Sequence, residues 1–256
     1  MPDSILEARD GGVLTLTLDR PERRNALDRA TIVGLHQRLV VAGEDRTVRA
    51  VVLAGAGGAF SSGADLKEAA TGALDGDLVE QAYHPTIRAI RRMPKPVIAA
   101  VDGVAAGFGA SLALAADVRF ASPRAAFSLI FVRSGLVLDG GASWFLPRLV
   151  GLRAYELALS GDMVTAEEAY RIGLVNHLLS PTGFDAEVAT FARRLAAGPP
   201  LALAAIKALI DGALAGPLDT TLEDERMAQR RMFATADFAE GLAAFLGKRP
   251  PEFRGE

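Results

Sequence analysis

Asp139 lies in the stretch Gly135-Leu-Val-Leu-Asp139-Gly-Gly-Ala-Ser-Trp144-Phe-Leu-Pro147, an acid set among Leu, Val, Trp and Phe. Burying a carboxyl disfavours its charged form and raises its pKa, toward the range where it both takes and gives a proton near neutral pH. Asp139 is therefore a candidate general base. Asp-Gly-Gly is also ordinary turn chemistry, so a structural role stands beside the catalytic one.

Two glycine-rich loops could serve such a base. The first, Gly55-Ala-Gly-Gly-Ala-Phe-Ser-Ser-Gly63-Ala64-Asp65-Leu66, follows an apolar strand and lets backbone amides approach a ligand without Cβ interference. The second, Asp102-Gly-Val-Ala-Ala-Gly107-Phe108-Gly109-Ala110-Ser111, opens an Ala-rich helix expected to run to about Ala116. A helix N-terminus presents unpaired N–H groups and a partial positive charge, which suits a developing anion. Neither loop matches the dinucleotide fingerprint Gly-x-Gly-x-x-Gly, because Phe60 and Leu112 occupy the last glycine positions.

Other chemistries find little support. There is no Cys, and His36, His84 and His177 are scattered, so a metal cluster and a thiol nucleophile are not expected. Ser111 sits in Gly-Ala-Ser-Leu-Ala113, which fails the Gly-x-Ser-x-Gly pattern, and no His stands in a motif that would activate it. Its hydroxyl is expected at the mouth of the site, bonding substrate or water, or capping the helix. The formal net charge of -3 across 256 residues offers no global attraction for nucleic acid or an anionic membrane. No apolar run reaches membrane-spanning length without a charge, and the N-terminus has no basic region leading into an apolar one, so the expected location is the cytoplasm.

The elements that must position these residues follow from hydrophobic pattern. Residues 13–19 alternate like a half-buried strand, whereas 50–54 and 97–101 are continuous apolar runs suited to strands covered on both faces. Residues 27–41 and 79–93 carry apolar residues at helical spacing, with Pro85 a kink or a start. Strand and helix alternate, which implies an α/β fold. Thr165-Ala-Glu-Glu168 reads as a capping box, and from Asp185 onward the chain reads as helix punctuated by Gly-Pro at 198 and 216.

Four successive elements carry a family resemblance: Leu18-Asp-Arg-Pro-Glu-Arg-Arg-Asn25-Ala-Leu27, Ala59-Phe-Ser-Ser-Gly-Ala-Asp-Leu66, Lys95-Pro-Val-Ile-Ala-Ala-Val-Asp-Gly103 and Glu240-Gly-Leu-Ala-Ala-Phe245-Leu-Gly-Lys248. In order and spacing they resemble the enoyl-CoA hydratase/isomerase (crotonase) superfamily. The resemblance implies a spiral of ββα units over residues 1–195 and a C-terminal helical trimerisation region over 196–256. It further implies an acyl-CoA thioester substrate, coenzyme A entering as part of that substrate with no separate cofactor, and a homotrimer or dimer of trimers.

By position, the backbone amides of Ala64 and Phe108 are similar to the family's oxyanion hole for the thioester oxygen. Phe108 stands where many relatives have Gly, which should narrow the pocket and leave the amide in place. The resemblance assigns the coenzyme A path to Ala26, Leu27, Asp65 and Leu66. Arg23, Arg24 and Lys248 are then partners for its phosphates, and Phe245 a contact from the C-terminal helix of a neighbouring subunit. Solvated surface is the alternative for the basic residues.

The family's hydratases use two glutamates, whose positions here hold Ser111 and Phe131, the latter expected on a strand. Hydration needs a base for water and an acid for carbon, so a site lacking both should hydrate poorly. The segment from Phe131 to Gly151 resembles the isomerase branch that includes the phenylacetate-degradation isomerases, where an aspartate at the position of Asp139 is the acid/base. Leu138 and Gly140 depart from that branch's Pro and Ser. The reading is a one-base 1,3-proton shift, with Phe131, Val137, Leu138 and Trp144 excluding water or serving as core. An enoyl-CoA hydratase and a non-catalytic acyl-CoA-binding protein remain the alternatives.

Overall fold

A computed structural model describes residues 4–69, 76–180 and 182–256. The chain opens with an antiparallel hairpin of β1 (Ile5–Asp10) and β2 (Val13–Leu18), followed by helix α1 (Arg29–Glu44). The expected helix at 27–41 begins two residues later, because the Asp28 carboxylate caps it by accepting from the Thr31 amide at 2.8 Å. Leu27 is thereby free to pair with Ala64 in an isolated parallel bridge.

Three strand pairs then repeat one pattern. β3 (Ala50–Gly55), β5 (Val97–Val101) and β7 (Val118–Ala121) join the large sheet, while their successors β4 (Ala59–Ser61), β6 (Val104–Ala106) and β8 (Ala126–Ser128) join a small one. The large sheet has six strands in the order β1-β2-β3-β5-β7-β10, with β10 at His177–Leu178, and is parallel from β2 onward. The small sheet has four, β4-β6-β8-β9, with β9 at Val164–Thr165 antiparallel to β8. This is a crotonase-like α/β spiral of ββα units, each turn adding one strand to each sheet.

Short helices α2 (Leu66–Ala69) and α3 (Gly76–Leu78) lie between β4 and a π-helical turn at Val79–Tyr83, which leads into α4 (His84–Arg92). The wider turn accommodates Pro85, whose ring and missing N–H disturb a regular helix at this point. Helix α5 (Phe108–Ala115) follows β6. A 3-10 turn at Ile130–Ser134 follows β8, then α6 (Ala142–Val150), α7 (Arg153–Ser160) and α8 (Ala166–Arg171). Phe131 therefore lies on that 3-10 turn and not on a strand; Gly135, at φ +68°, closes the turn and sends the chain toward Asp139.

The continuous apolar runs are covered on both faces, as their sequence predicts. Leu16, Val51, Leu53, Val97, Ala99 and Val101 join the main core with Ile32, Leu35, Leu39, Ile87 and Ile90 from α1 and α4. Alternate residues Val13, Val52, Ile98, Ala100 and Phe120 face α9 (Phe184–Ala196), which contributes Phe184, Val188 and Ala192. Each such Val, Leu or Phe removed from water contributes about 1.5–3 kcal/mol.

The last helices are α10 (Pro200–Ala213), α11 (Leu218–Met232) and α12 (Ala236–Leu246). Lys207 ties α10 to the spiral: it pairs with Asp117 at 2.8 Å and donates to the Ile90 carbonyl at 2.8 Å, while Arg91 joins Asp117 to Asp211. Their outer faces leave Leu201, Ile206, Ile210, Leu222, Leu242 and Phe245 exposed. No single helix among the described residues is long and apolar enough to cross a membrane.

Candidate active site

Two loops meet where β4 and β6 end. Gly63 takes φ +91°, and a Cβ there would lie 2.6 Å from the Ala106 carbonyl oxygen and 3.2 Å from the Phe108 nitrogen, so the two loops touch. Leu27 donates to Gly63 O at 2.8 Å and accepts from Asp65 N at 3.0 Å, which brackets Ala64 and turns its own N–H the other way. Neither the Ala64 nor the Phe108 amide meets a backbone acceptor among the described residues. Two amides without a backbone acceptor among the described residues thus lie on touching loops.

The corner is held from beneath by residues that spacing alone did not single out. Asn25, itself at φ +55°, accepts from the Arg20 amide at 2.8 Å and donates to the carbonyls of Ala56 and Ala59 at 2.9 and 2.6 Å. The buried Ser61 hydroxyl donates to Asn25 O at 2.8 Å and accepts from the Gly63 amide at 3.1 Å. Gly109 lets α5 press onto this point, since a Cβ there would come 2.5 Å from Ser61 O.

Asp139 faces the same region on the loop before α6. Its backbone carbonyl accepts from the Ala142 amide at 3.0 Å and from the Ser111 hydroxyl at 2.9 Å. Gly140 and Gly141 both take left-handed backbone, at φ +56° and +79°, so Asp-Gly-Gly is indeed a turn. The turn presses on α5: a Cβ on Gly140 would lie 2.7 Å from both the Phe108 ring and the Ser111 Cβ.

Asp139 Oδ1 is buried with no hydrogen-bond partner among the described residues. Burial pushes its carboxyl up to about 7, where a proton is taken and returned with little penalty. The Tyr83 ring stacks on Phe108 with centroids 3.9 Å apart, and its buried hydroxyl is likewise unpartnered among the described residues. Tyr83 reads in the sequence as one more apolar position of a helix, so only the fold reveals its place beside Asp139.

The other expected site residues distribute unevenly. Ser111 is wholly buried and clamps the Asp139 backbone, with a second, longer contact to Gly107 O at 3.4 Å; it is not at the mouth of the site. Phe131 is core, and Leu138 and Trp144 pack partly buried against it. Trp144 lies edge-on to Phe145 and carries the Arg148 guanidinium 4.1 Å above its ring. Val137 is 85% exposed and shields nothing in the single chain, because Gly135 ends the 3-10 turn and throws the next residues outward.

Along the expected coenzyme A path, Ala26 and Leu27 are buried and Leu66 is 62% exposed. Asp65 pairs with Arg20 at 3.0 Å and Arg23 at 3.5 Å and accepts from the Lys67 amide. Burial pushes its carboxyl up, but that amide and the guanidinium groups outweigh it and hold it below the usual carboxylate range. Its side chain is thus engaged in bracing the loop. Arg23 and Arg24 are exposed at the adjoining turn. Phe245 ends α12 at 81% exposed, and Lys248 follows in left-handed backbone. Among the described residues no group of three or more His, Asp and Glu could hold a metal ion.

A sequence model of the family described as enoyl-CoA hydratase/isomerase matches residues 8–256. The 1,2-epoxyphenylacetyl-CoA isomerase of Escherichia coli (strain K12) is 40% identical over 262 residues, covering 100% of each chain. A "Probable enoyl-CoA hydratase" of Rhodobacter capsulatus is 44% identical over 246 residues, covering 95% of each. Among solved structures, an enoyl-CoA hydratase from Bacillus anthracis superposes with a TM-score of 0.93 at 33% identity, covering 99% of this chain and 100% of that one.

Proposed function

We propose, from the premise that this chain belongs to the enoyl-CoA hydratase/isomerase family, that it is an acyl-CoA double-bond isomerase with Asp139 as its single acid/base. The observation that carries the reading is the half-buried Asp139, whose Oδ1 is buried without a hydrogen-bond partner among the described residues and whose carboxyl burial pushes up to about 7. Ser111 and Phe131 stand at the two positions where the family's hydratases carry glutamates.

In the proposed step, the Asp139 carboxylate takes a proton from C2 of a 3-enoyl-CoA. The C–H electron pair moves into the conjugated system and the thioester oxygen becomes an enolate, held by the amides of Ala64 and Phe108. The protonated Asp139 then returns the same proton to C4, and the double bond comes to rest between C2 and C3. Amides that bind the enolate more strongly than the ground-state carbonyl lower the barrier. A carboxyl near neutrality suits both halves of the transfer.

The bound thioester would run past Ala26, Leu27 and Leu66, with Arg23, Arg24 and Lys248 near its phosphates. Coenzyme A arrives as part of the substrate and no other cofactor is invoked. The exposed apolar side chains of α10–α12 fit a trimerisation region, giving a cytoplasmic homotrimer or dimer of trimers in which Phe245 and Lys248 serve a neighbouring site. The relative named a 1,2-epoxyphenylacetyl-CoA isomerase supports aromatic-acid degradation as the setting.

A second reading, enoyl-CoA hydratase, is favoured by the name of the Rhodobacter capsulatus relative. The two separate on one experiment. Purified protein should convert a 3-enoyl-CoA to its 2-enoyl isomer, and Asp139→Asn should abolish this while binding of the acyl-CoA survives. Retained isomerisation in the variant, or rapid loss of 2-enoyl absorbance through water addition by the wild type, overturns the isomerase.

A further inference from the structure

We propose that Tyr83 is a specificity-determining residue whose hydroxyl hydrogen-bonds an oxygen in the acyl portion of the substrate, so that this site selects oxygen-bearing acyl groups over plain hydrocarbon chains. The inference rests on the acyl-CoA reading of the site and adds to it a substrate class.

Two buried polar atoms without partners among the described residues lie on this one region of the fold: Asp139 Oδ1 and Tyr83 Oη. The isomerase reading employs the first and leaves the second unused. Tyr83 is only 2% exposed, and its ring stacks on Phe108, the residue whose amide forms half of the oxyanion hole. The Asp139–Gly140 turn presses on the same Phe108 ring from another side. The phenol is thereby held against Phe108 and near the Asp139 carboxyl, the two groups between which the isomerase reading places the reacting end of the acyl chain.

Burial, with the negative charges of Asp139 and Glu68, pushes the phenol pKa well above its usual value. At working pH the group is therefore a donor and not a second base. A buried donor left unpaired is costly, and a ligand that brings an acceptor relieves the cost, whereas a methylene in the same place does not. Sites built to hydrogen-bond a substrate discriminate strongly for this reason, more so than apolar pockets do between chain lengths. Phenylalanine at this position would satisfy the stacking and the core equally well, so packing alone does not account for a tyrosine.

The test uses saturated, unreactive ligands, so that it does not depend on proton transfer. Binding of hexanoyl-CoA is compared by calorimetry with that of 3-, 4- and 5-oxahexanoyl-CoA, in which one methylene becomes an ether oxygen that only accepts. Wild type should bind at least one oxa chain about tenfold more tightly than hexanoyl-CoA. Tyr83→Phe should erase that preference while hexanoyl-CoA affinity stays within about twofold, which also reports an intact fold. No oxa preference in the wild type, a preference that persists in Tyr83→Phe, or an equal loss for all four ligands overturns the proposal. Failure of every acyl-CoA to bind the wild type overturns the acyl-CoA reading itself.

Discussion

The Ser111 hydroxyl donates to the Asp139 backbone carbonyl at 2.9 Å, clamping the helix that begins at Phe108 to the loop before α6. Ser111→Ala should cost about 1 kcal/mol in stability. It should lower kcat roughly tenfold with KM little changed, because the base loses its orientation and the thioester keeps its contacts. Thermal unfolding with steady-state kinetics on a 3-enoyl-CoA checks this; a change confined to KM contradicts it.

The proposed mechanism makes Asp139 govern the pH dependence of rate. With its carboxyl at about 7, kcat/KM should rise close to tenfold per pH unit below 7 and level off above it. The profile should be set by one ionisation on its acid side. A rate that is flat between pH 5 and 7 contradicts Asp139 as the base.

The same shift predicts a stability effect. The folded value of about 7 lies above the ordinary 3.8, so the folded state holds a proton that the unfolded chain releases. The favourable contribution is complete below pH 3.8 and is lost as pH rises through 7. Asp139→Asn removes the burden of charging a buried carboxyl, so its gain over wild type should grow between pH 4 and 7 and then hold. The plateau is at most on the order of 4 kcal/mol. Unfolding midpoints of both proteins across this range provide the measurement.

Gly140 admits no side chain. Left-handed backbone at φ +56° and contacts of 2.7 Å to Phe108 and Ser111 mean that Gly140→Ala must push the acid loop off the oxyanion helix. Isomerase activity should fall at least a hundredfold, with stability lower by about 2 kcal/mol or more. Gly135→Ala is the control: it has the same kind of positive φ and open space around it, so it should destabilise with a much smaller loss of activity.

Asn25 should matter to stability beyond its size. Its side chain makes three hydrogen bonds that close the corner beneath Gly63. Asn25→Ala leaves two buried carbonyls and an amide short of a partner and should cost about 2–4 kcal/mol. Denaturant unfolding checks the magnitude, and Asn25→Asp, which keeps the acceptor but sets a buried carboxylate oxygen against two carbonyls, should cost at least as much.

The strands were legible because a run such as Val97–Val101 is apolar at every position, which only a strand covered on both faces tolerates. The raised pKa of Asp139 was legible because an aspartate among large apolar residues is unusual. Ser111 and Val137 were misplaced for a common reason. Chain position locates a residue within its element, but whether its side chain turns inward is decided by distant partners: the Asp139 carbonyl in one case, the turn at Gly135 in the other. Tyr83 escaped notice because an aromatic at helical spacing is what a core helix also requires. Its unpaired hydroxyl exists only once α4, α5 and the acid loop are brought together.

Ala64 and Phe108 sit at equivalent corners of successive turns of the spiral, just beyond the paired parallel strands β4 and β6. The gap between the two donors is therefore set by the rise of the coil, about one strand spacing or ~4.8 Å. Backbone makes the contact, so substitution at either position alters the wall and leaves the span unchanged. On the proposed reading such a site is a gauge cut into the scaffold: each substrate presents the same thioester oxygen to it, and chemistry diversifies only through what surrounds the carbons beyond.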